Sequence, residues 1–435
     1  MLGICGVIGG LALLIYLALR GANVLLIALL CAGVVALGNG LSLSDALMGS
    51  YMAGLAGFLQ QYFLLFLFGA VFGRLMGDSG AAISIADVLA RRLGAGRTLL
   101  IVILATAILS YGGVSVFVLV FTVYPLGLGL IKQANLPKRL FCGAFVLGAG
   151  TFTMTALPGT PSIQNMIPAK ALGTPATAAP LVGIVAGLVM FALGYWYLSR
   201  QSAKAKAAGE GFVPGAADSA ASLSFEPSAA PHWALSLVPM VVVVGGVIGT
   251  RHLQPPLPWV TAALALGSLV AIVLFWRRLK TLGNTLSLGA QNSAMPILNT
   301  SAVIGFGMVV STVPAFKAFA TALAGLDWPP LISATVAVNI MAGLVGSSSG
   351  GLGIFMQTMA PGYLEAGVDP ALLHRISAIA SGGLDSLPHS GAVISVLAVM
   401  GLTHREAYKD IFMLTVLVPL AALAVALVMG LVMAA

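Results

Sequence analysis

Asp385 and His389 lie four residues apart in the run Ser381-Gly382-Gly383-Leu384-Asp385-Ser386-Leu387-Pro388-His389-Ser390-Gly391. A carboxylate and an imidazole at that spacing meet across one helical turn if helix persists there, and can carry a proton. Of the twelve acidic residues, Asp385 is the one that falls inside an apolar segment away from a loop. A carboxylate held deep in hydrocarbon costs about 2.5–3.5 kcal/mol on insertion scales, so it faces a partner or water. The competing role is a cap on the half-helix after the break, and both roles can hold at once. Ser386 and Ser390 add hydroxyls beside the pair.

An earlier stretch has the same layout. Leu157-Pro158-Gly159-Thr160-Pro161 interrupts one hydrophobic run as Leu387-Pro388 interrupts the other. Proline removes an amide donor and disrupts the helix around it. Thr155, Gly159, Thr160 and Asn165 crowd the first break, with Thr151, Thr153, Ser162 and Gln164 nearby. Aligned on Leu-Pro, Thr155 matches Asp385 and Gly159 matches His389. A single kink whose hydroxyls cap its own carbonyls is an ordinary feature of membrane helices. Two breaks at matching positions, each in a polar cluster, point instead to a binding site.

Each break is preceded by a glycine pair. Gly112-Gly113 with Ser110 and Ser115, and Gly350-Gly351 after Ser347, Ser348 and Ser349, permit a tight reversal and close backbone approach. Helix N-termini exposed at such a tip attract anions through free amides and the helix dipole. Small-residue helix packing also enriches Gly and Ser. The expected substrate site therefore comprises Gly112, Gly113, Ser115, Thr155, Gly159, Thr160, Asn165, Ser348, Ser349, Gly350, Ser386 and Ser390, with Asp385 and His389 as proton-coupling residues. Arg375 and Lys170 read as interfacial bases whose stems lie along apolar surface. Gln60, Gln61, Asn292, Asn299 and Asn339 read as partners in interhelical hydrogen bonds.

The elements that position these residues must lie in a membrane. The chain is 59% hydrophobic and 7% charged over 435 residues, far from a soluble globular average. Runs at 2–19, 24–40, 51–76, 179–198, 233–250, 259–276, 284–310 and 411–433 suit the roughly 20 apolar residues that a spanning helix needs. The first run lacks a basic n-region and a cleavage site and reads as a retained helix. The expected class is all-α and polytopic, with residues 1–198 as a first membrane repeat, 199–232 as a cytoplasmic linker and 233–435 as a second repeat. Cys5, Cys31 and Cys142 lack metal-ligand spacing, and no metal or cofactor is expected. No nucleophile constellation supports an enzyme. The net charge of +8 is scattered over loops, which speaks for membrane topology rather than nucleic acid.

With the linker cytoplasmic, 16 of the 20 Lys and Arg residues fall inside, leaving Lys170, Arg251, Lys317 and Arg375 outside or embedded. This requires 98–131 to be a hairpin that enters and leaves on the inner side, and 329–360 one that does so from outside. Both termini then face outward. The interrupted segments 141–173 and 372–402 run in opposite directions, as inverted-topology repeats require.

The residues around both breaks resemble one family. Leu157-Pro158-Gly159-Thr160-Pro161-Ser162-Ile163-Gln164-Asn165, followed by Gly173-Thr174 and Ala178-Ala179-Pro180, is similar to the gluconate permease family, as is the 381–391 run. The likeness is dense over roughly 110–200 and 345–412. It implies a proton-coupled importer of small organic acids in the inner membrane, within a superfamily of inverted repeats with re-entrant hairpins that generally form homodimers. Family members carry sugar acids such as gluconate, and relatives carry short hydroxy acids such as 3-hydroxybutyrate. The absence of an obvious arginine clamp favours a monocarboxylate over a dicarboxylate. A sodium-coupled carboxylate carrier or a sodium/proton antiporter is the alternative, with Asp385 and unwound carbonyls holding the ion.

Overall fold

The computed structural model describes residues 2–20, 22–214, 230–314, 316, 318 and 328–434, and they form an all-helical protein. Two opening helices, α1 (Leu2–Leu19) and α2 (Val24–Gly38), precede the long α3 (Met52–Asp78), which a π turn at Asp45–Tyr51 extends backwards. After α4 (Ala81–Leu93) comes a hairpin of α5 (Thr98–Tyr111) and α6 (Val116–Gln133). A broken helix follows, α7 (Lys138–Gly150) and α8 (Ile163–Leu172), and α9 (Pro180–Ala207) closes the half. The same order then recurs. Helices α10 (Trp233–Gly249) and α11 (Pro256–Phe275) lead to the long α12 (Leu282–Thr312), then to the hairpin of α13 (Pro330–Val345) and α14 (Ser348–Thr358). A short α15 (Ala360–Glu365) connects to a second broken helix, α16 (Pro370–Ser381) and α17 (Gly391–Met400). The closing helix is α18 (His404–Phe412) joined through a π turn to α19 (Val418–Ala434). Six of these stretches, among the described residues, are long and apolar enough to span a bilayer.

Each half contributes one long helix to a central pair. Helices α3 and α12 pack along each other, with α2 against α12 and α11 against α3. Glycine makes the approach possible: a Cβ on Gly305 would meet the Tyr51 carbonyl oxygen at 2.7 Å, and one on Gly289 would meet Val71 Cα at 2.9 Å. Close backbone packing of this kind holds helices together where lipid offers no hydrophobic driving force between them. At one end Thr285 donates to Asp78, which also pairs with Arg74.

Both expected hairpins form, and the broken helices run antiparallel. At one end, His374 and Arg375 of α16 bond to Asn165, Thr174, Ala176 and Ala178, at and beyond α8. At the other, Arg139 of α7 bonds to Asp410 of α18, and Tyr124 of α6 donates to the Met400 carbonyl that ends α17. Arg139 also grips Glu210 through two parallel bonds, Nε to Oε1 at 2.8 Å and Nη2 to Oε2 at 2.7 Å. The α6–α7 connection therefore lies beside the start of the 199–232 segment. That segment begins as helix, since α9 continues to Ala207; residues 215–229 lie outside the described part of the chain.

Candidate functional site

Four helices start at one cavity of about 500 Å³, and each has a serine at its N-cap position. Ser115 opens α6 and Ser347 opens α14, the returning arms of the two hairpins. Ser162 opens α8 and Ser390 opens α17, the second halves of the two broken helices. All four serines line the cavity. Each helix start presents free amides and roughly half a positive charge. Ser347 is occupied, its hydroxyl accepting from the Gly350 amide. Ser115, Ser162 and Ser390 make no side-chain cap.

The turns that place these helix starts differ in detail from expectation. In the first hairpin Gly113, at φ +102°, makes the reversal, and a Cβ there would meet Pro161 at 3.1 Å. In the second, Gly346 turns the chain at φ +60°. The Gly350-Gly351 pair, read as that tip, lies inside the first turn of α14. Its role is approach: a Cβ on Gly351 would collide with the backbone of Ala342 on α13. Gly112 is helical in conformation and packs on Met240.

Of the expected site residues, Gly113, Ser115, Ser348, Ser349, Asp385, Ser386, His389 and Ser390 line the cavity. Gly112, Thr155, Gly159, Thr160, Asn165 and Gly350 do not. Thr155 is buried, donates to the Thr151 carbonyl and packs against Gly382 of the opposite break. Asn165 holds the first break together, its amide donating to the carbonyls of Thr160 and Ala176.

Asp385 is 9% exposed and accepts from Ser386 at 2.7 Å. His389 turns elsewhere, bonding through Nε2 to the Gly343 carbonyl at 3.0 Å. Helix does not persist between Ser381 and Gly391, so the one-turn geometry expected for the pair is lost. Asn299 also departs from its expected role: its side-chain oxygen is buried without a partner, and the residue lines the cavity.

Two residues were undervalued. Gln164 is 4% exposed and lines the cavity. Its Nε2 donates to Ser348 Oγ at 2.8 Å, while its Oε1 has no partner. Arg375, read as an interfacial base, is fully buried. Its guanidinium donates to the carbonyls of Ala178, Ala156 and Ala176 at 3.1–3.2 Å. Beside it His374 bridges Asn165 Oδ1 and Thr174 Oγ1. Because the Asn165 amide nitrogen is already donating, its oxygen must accept, which puts the proton of a neutral His374 on Nε2. The second half thus fastens the first break. The presence of Arg at position 375 is visible in the sequence, but its partners are carbonyls 197 to 219 positions away.

No Lys or Arg is among the described residues lining the cavity. What the site offers is hydroxyls, helix-start amides and a single carboxylate.

The comparisons with known proteins agree in kind. A family model described as GntP family permease matches residues 2–432. The Bacillus subtilis (strain 168) transporter YxjC is 37% identical, over 95% of this chain and 96% of its own length. The inner membrane permease YgbN of Escherichia coli (strain K12) is 27% identical, over 80% and 84%. Among solved structures, the Alcanivorax borkumensis YdaH transporter, whose topology is described as unusual, superposes with a TM-score of 0.56 at 15% identity, covering 88% of this chain and 87% of that one. At that identity the likeness speaks for the fold alone. With the family model spanning nearly every residue, the chain belongs to the GntP family of permeases, multi-pass membrane transporters rather than enzymes.

Proposed function

We propose that this permease imports a small organic monocarboxylate together with a proton across the inner (cytoplasmic) membrane. The observation that carries the reading is the meeting of four helix starts, each with a serine at its N-cap position, at a cavity that holds one carboxylate and, among the described residues, no Lys or Arg. Helix starts bind anions through amides and dipole, and in secondary transporters broken helices present them to anionic substrates at mid-membrane. The substrate carboxylate lies among the hydroxyls of Ser115, Ser162, Ser349 and Ser390, and Asp385 takes the proton. Sugar acids such as gluconate and short hydroxy acids such as 3-hydroxybutyrate are the candidate substrates.

The antiparallel broken helices and the repeated element order support two inverted repeats, 1–198 and 233–435, joined by a cytoplasmic segment at 199–232. A homodimer is the proposed assembly, on the family resemblance. The carbonyls of Ala156, Ala176 and Ala178, the natural ligands for a sodium ion at the first break, are engaged by Arg375. That weighs against the sodium-coupled alternative. The test is accumulation in proteoliposomes at low sodium, driven by an inward proton gradient, with gluconate, 3-hydroxybutyrate, succinate and citrate as competitors in counterflow. Concentrative uptake of a monocarboxylate is expected. Uptake that needs sodium, or that only equilibrates, overturns the reading.

A further inference from the structure

Helix α12 carries a proline in its interior, Pro296, and meets the cavity on that side. Proline has no amide hydrogen, so the Asn292 carbonyl, one turn earlier, loses the donor that a regular helix would give it. In a helix that oxygen lies on the surface between residues i, i+3 and i+4, here Asn292, Met295 and Pro296. All three line the cavity, and so does Asn299 on the same face. The freed oxygen therefore faces the cavity.

Freed carbonyls of this kind are ordinarily taken up by a neighbouring Ser or Thr side chain. Here the two hydroxyls that flank the kink are spent elsewhere, Ser293 on the Ala290 carbonyl and Thr300 on that of Pro296. Helix α3 runs alongside, with Val71 against Gly289. The stretch it turns to the cavity, Leu65, Phe66, Gly69 and Ala70, has no side-chain donor. Among the described residues, no side chain donates to the Asn292 carbonyl.

The kink also stands at a set distance from a helix start. A Cβ on Gly350 would meet Val303 at 2.8 Å, and one on Gly307 would meet Ile354, so α12 and α14 run parallel with Val303 level with Gly350. Ser347, the N-cap of α14, is then level with Thr300. The Asn292 oxygen projects toward residue 296, which puts it roughly 10 Å from that level at 1.5 Å per residue. With a hydrogen bond of about 3 Å at each end, about 4 Å of that axial span is left. A hydroxyl on the third carbon of a short acid covers it from the carboxylate.

Resting on the monocarboxylate reading above, we propose that the Asn292 carbonyl, freed by Pro296, is the hydroxyl subsite of this permease. The substrate's carboxylate lies at the start of α14, and a hydroxyl on its third carbon donates to the kink. A carbonyl oxygen accepts and cannot donate, so the subsite repels a second carboxylate and favours a hydroxyl. An acid without the hydroxyl leaves the oxygen unpaired and forfeits that bond. The site thereby selects 3-hydroxy acids over plain acids of the same length.

The experiment measures how strongly unlabelled 3-hydroxybutyrate, butyrate and 3-fluorobutyrate inhibit proton-driven uptake of radiolabelled 3-hydroxybutyrate into proteoliposomes holding the full-length protein. In the unaltered protein, 3-hydroxybutyrate should bind on the order of 10-fold tighter than butyrate, the worth of one hydrogen bond. The fluoro acid, close in shape but unable to donate, should bind no better than butyrate. Pro296→Ala restores the amide hydrogen and returns the Asn292 carbonyl to its helix. It should erase the preference by weakening 3-hydroxybutyrate. Pro296→Gly restores the same hydrogen without favouring a straight helix and should do likewise, which separates the carbonyl from the shape of the kink. A merely structural proline would shift all three acids together. If neither variant inserts, the fluoro acid in the unaltered protein still decides. Equal binding of the three acids by the unaltered protein, a fluoro acid that competes as well as the hydroxy acid, or a preference that survives in both variants overturns the subsite and leaves symport standing. No uptake of 3-hydroxybutyrate by the unaltered protein overturns the monocarboxylate reading, and the subsite with it.

Discussion

The two breaks share an architecture and divide the labour. The first, from Thr151 to Ser162, is tied down on several sides. Tyr111 donates to the Pro158 carbonyl, Asn165 to those of Thr160 and Ala176, and Arg375 to that of Ala176 again and to two more. The second, from Gly382 to Ser390, is held by Tyr408 and His404 and turns Asp385 and His389 to the cavity. Thr155, the Leu-Pro counterpart of Asp385, is sealed against Gly382. The registers also part. Four positions separate Pro158 from its helix cap Ser162, whereas two separate Pro388 from Ser390. Of two breaks with a like layout, one is thus tied down and the other holds the titratable groups.

If that division is right, removing the titratable group and loosening the support should fail differently. Asp385→Asn should show the largest functional effect: loss of accumulation driven by a pH gradient, with substrate exchange retained. Proteoliposomes loaded for accumulation and for counterflow separate the two. A variant that still concentrates substrate would make Asp385 a structural cap.

Arg375→Met should instead lower stability and exchange together. It strands the buried carbonyls of Ala156 and Ala178, at about 1–3 kcal/mol each, while that of Ala176 keeps its bonds from Asn165 and Gly159, so a loss on the order of 2 kcal/mol or more is expected in thermal unfolding of the detergent-solubilised protein. Arg375→Lys should recover only part, since an ammonium cannot reproduce the planar fork. Wild-type stability in Arg375→Met would mean that the first break holds without its clasp.

A smaller contrast lies in the hairpins. Gly351→Ala sets a methyl against the Ala342 backbone, whereas Gly350→Ala meets a Val303 methyl at 2.8 Å, and side chains yield more easily than backbone. Gly351→Ala should therefore cut uptake and stability by the 1–3 kcal/mol typical of overpacking, and Gly350→Ala should do less. Equal effects in an uptake assay would undo the distinction between a glycine packed on backbone and one packed on a side chain.

The smallest effect concerns Glu210. Its bonds to Arg139 hold its carboxyl below the usual carboxylate range. A depressed value means that the stabilisation is present at neutral pH and is lost as pH falls through that value. For so exposed a pair, Glu210→Gln should cost under about 1 kcal/mol, and only above the acid range. Orientation has its own check: a cysteine at Ser219 should react with an impermeant thiol reagent only after the membrane is opened, and ready labelling from outside would reverse the assigned sidedness.

Much of the frame was legible because its signals are local. Leu-Pro breaks a helix wherever it stands, and a glycine–serine cluster between apolar runs marks a reversal. Basic residues located the hairpins, since only re-entrant segments bring Lys132, Lys138 and Arg139 back beside the 199–232 segment. What escaped depends on partners remote in sequence. Gln164 became informative once Ser348 was seen to lie against it, and Arg375 once the carbonyls of Ala156, Ala176 and Ala178 were seen around it. Asp410 escaped similarly: its sequence neighbours suggest a solvated end, yet it is 2% exposed between Arg139 and Tyr197. Gly346 lost out to the more conspicuous Gly350-Gly351 because backbone sign cannot be read from composition.

The lack of any Lys or Arg among the described residues around the cavity has a consequence for membrane voltage. An empty site with Asp385 ionised carries one negative charge; a site filled with a monoanion and a proton on Asp385 carries one as well. A potential does about 2.3 kcal/mol of work per charge per 100 mV, with opposite sign on the loaded and returning legs, so the two contributions cancel. Import of this kind is electroneutral. Clamping the potential with potassium and valinomycin should leave the accumulation ratio set by the pH difference alone.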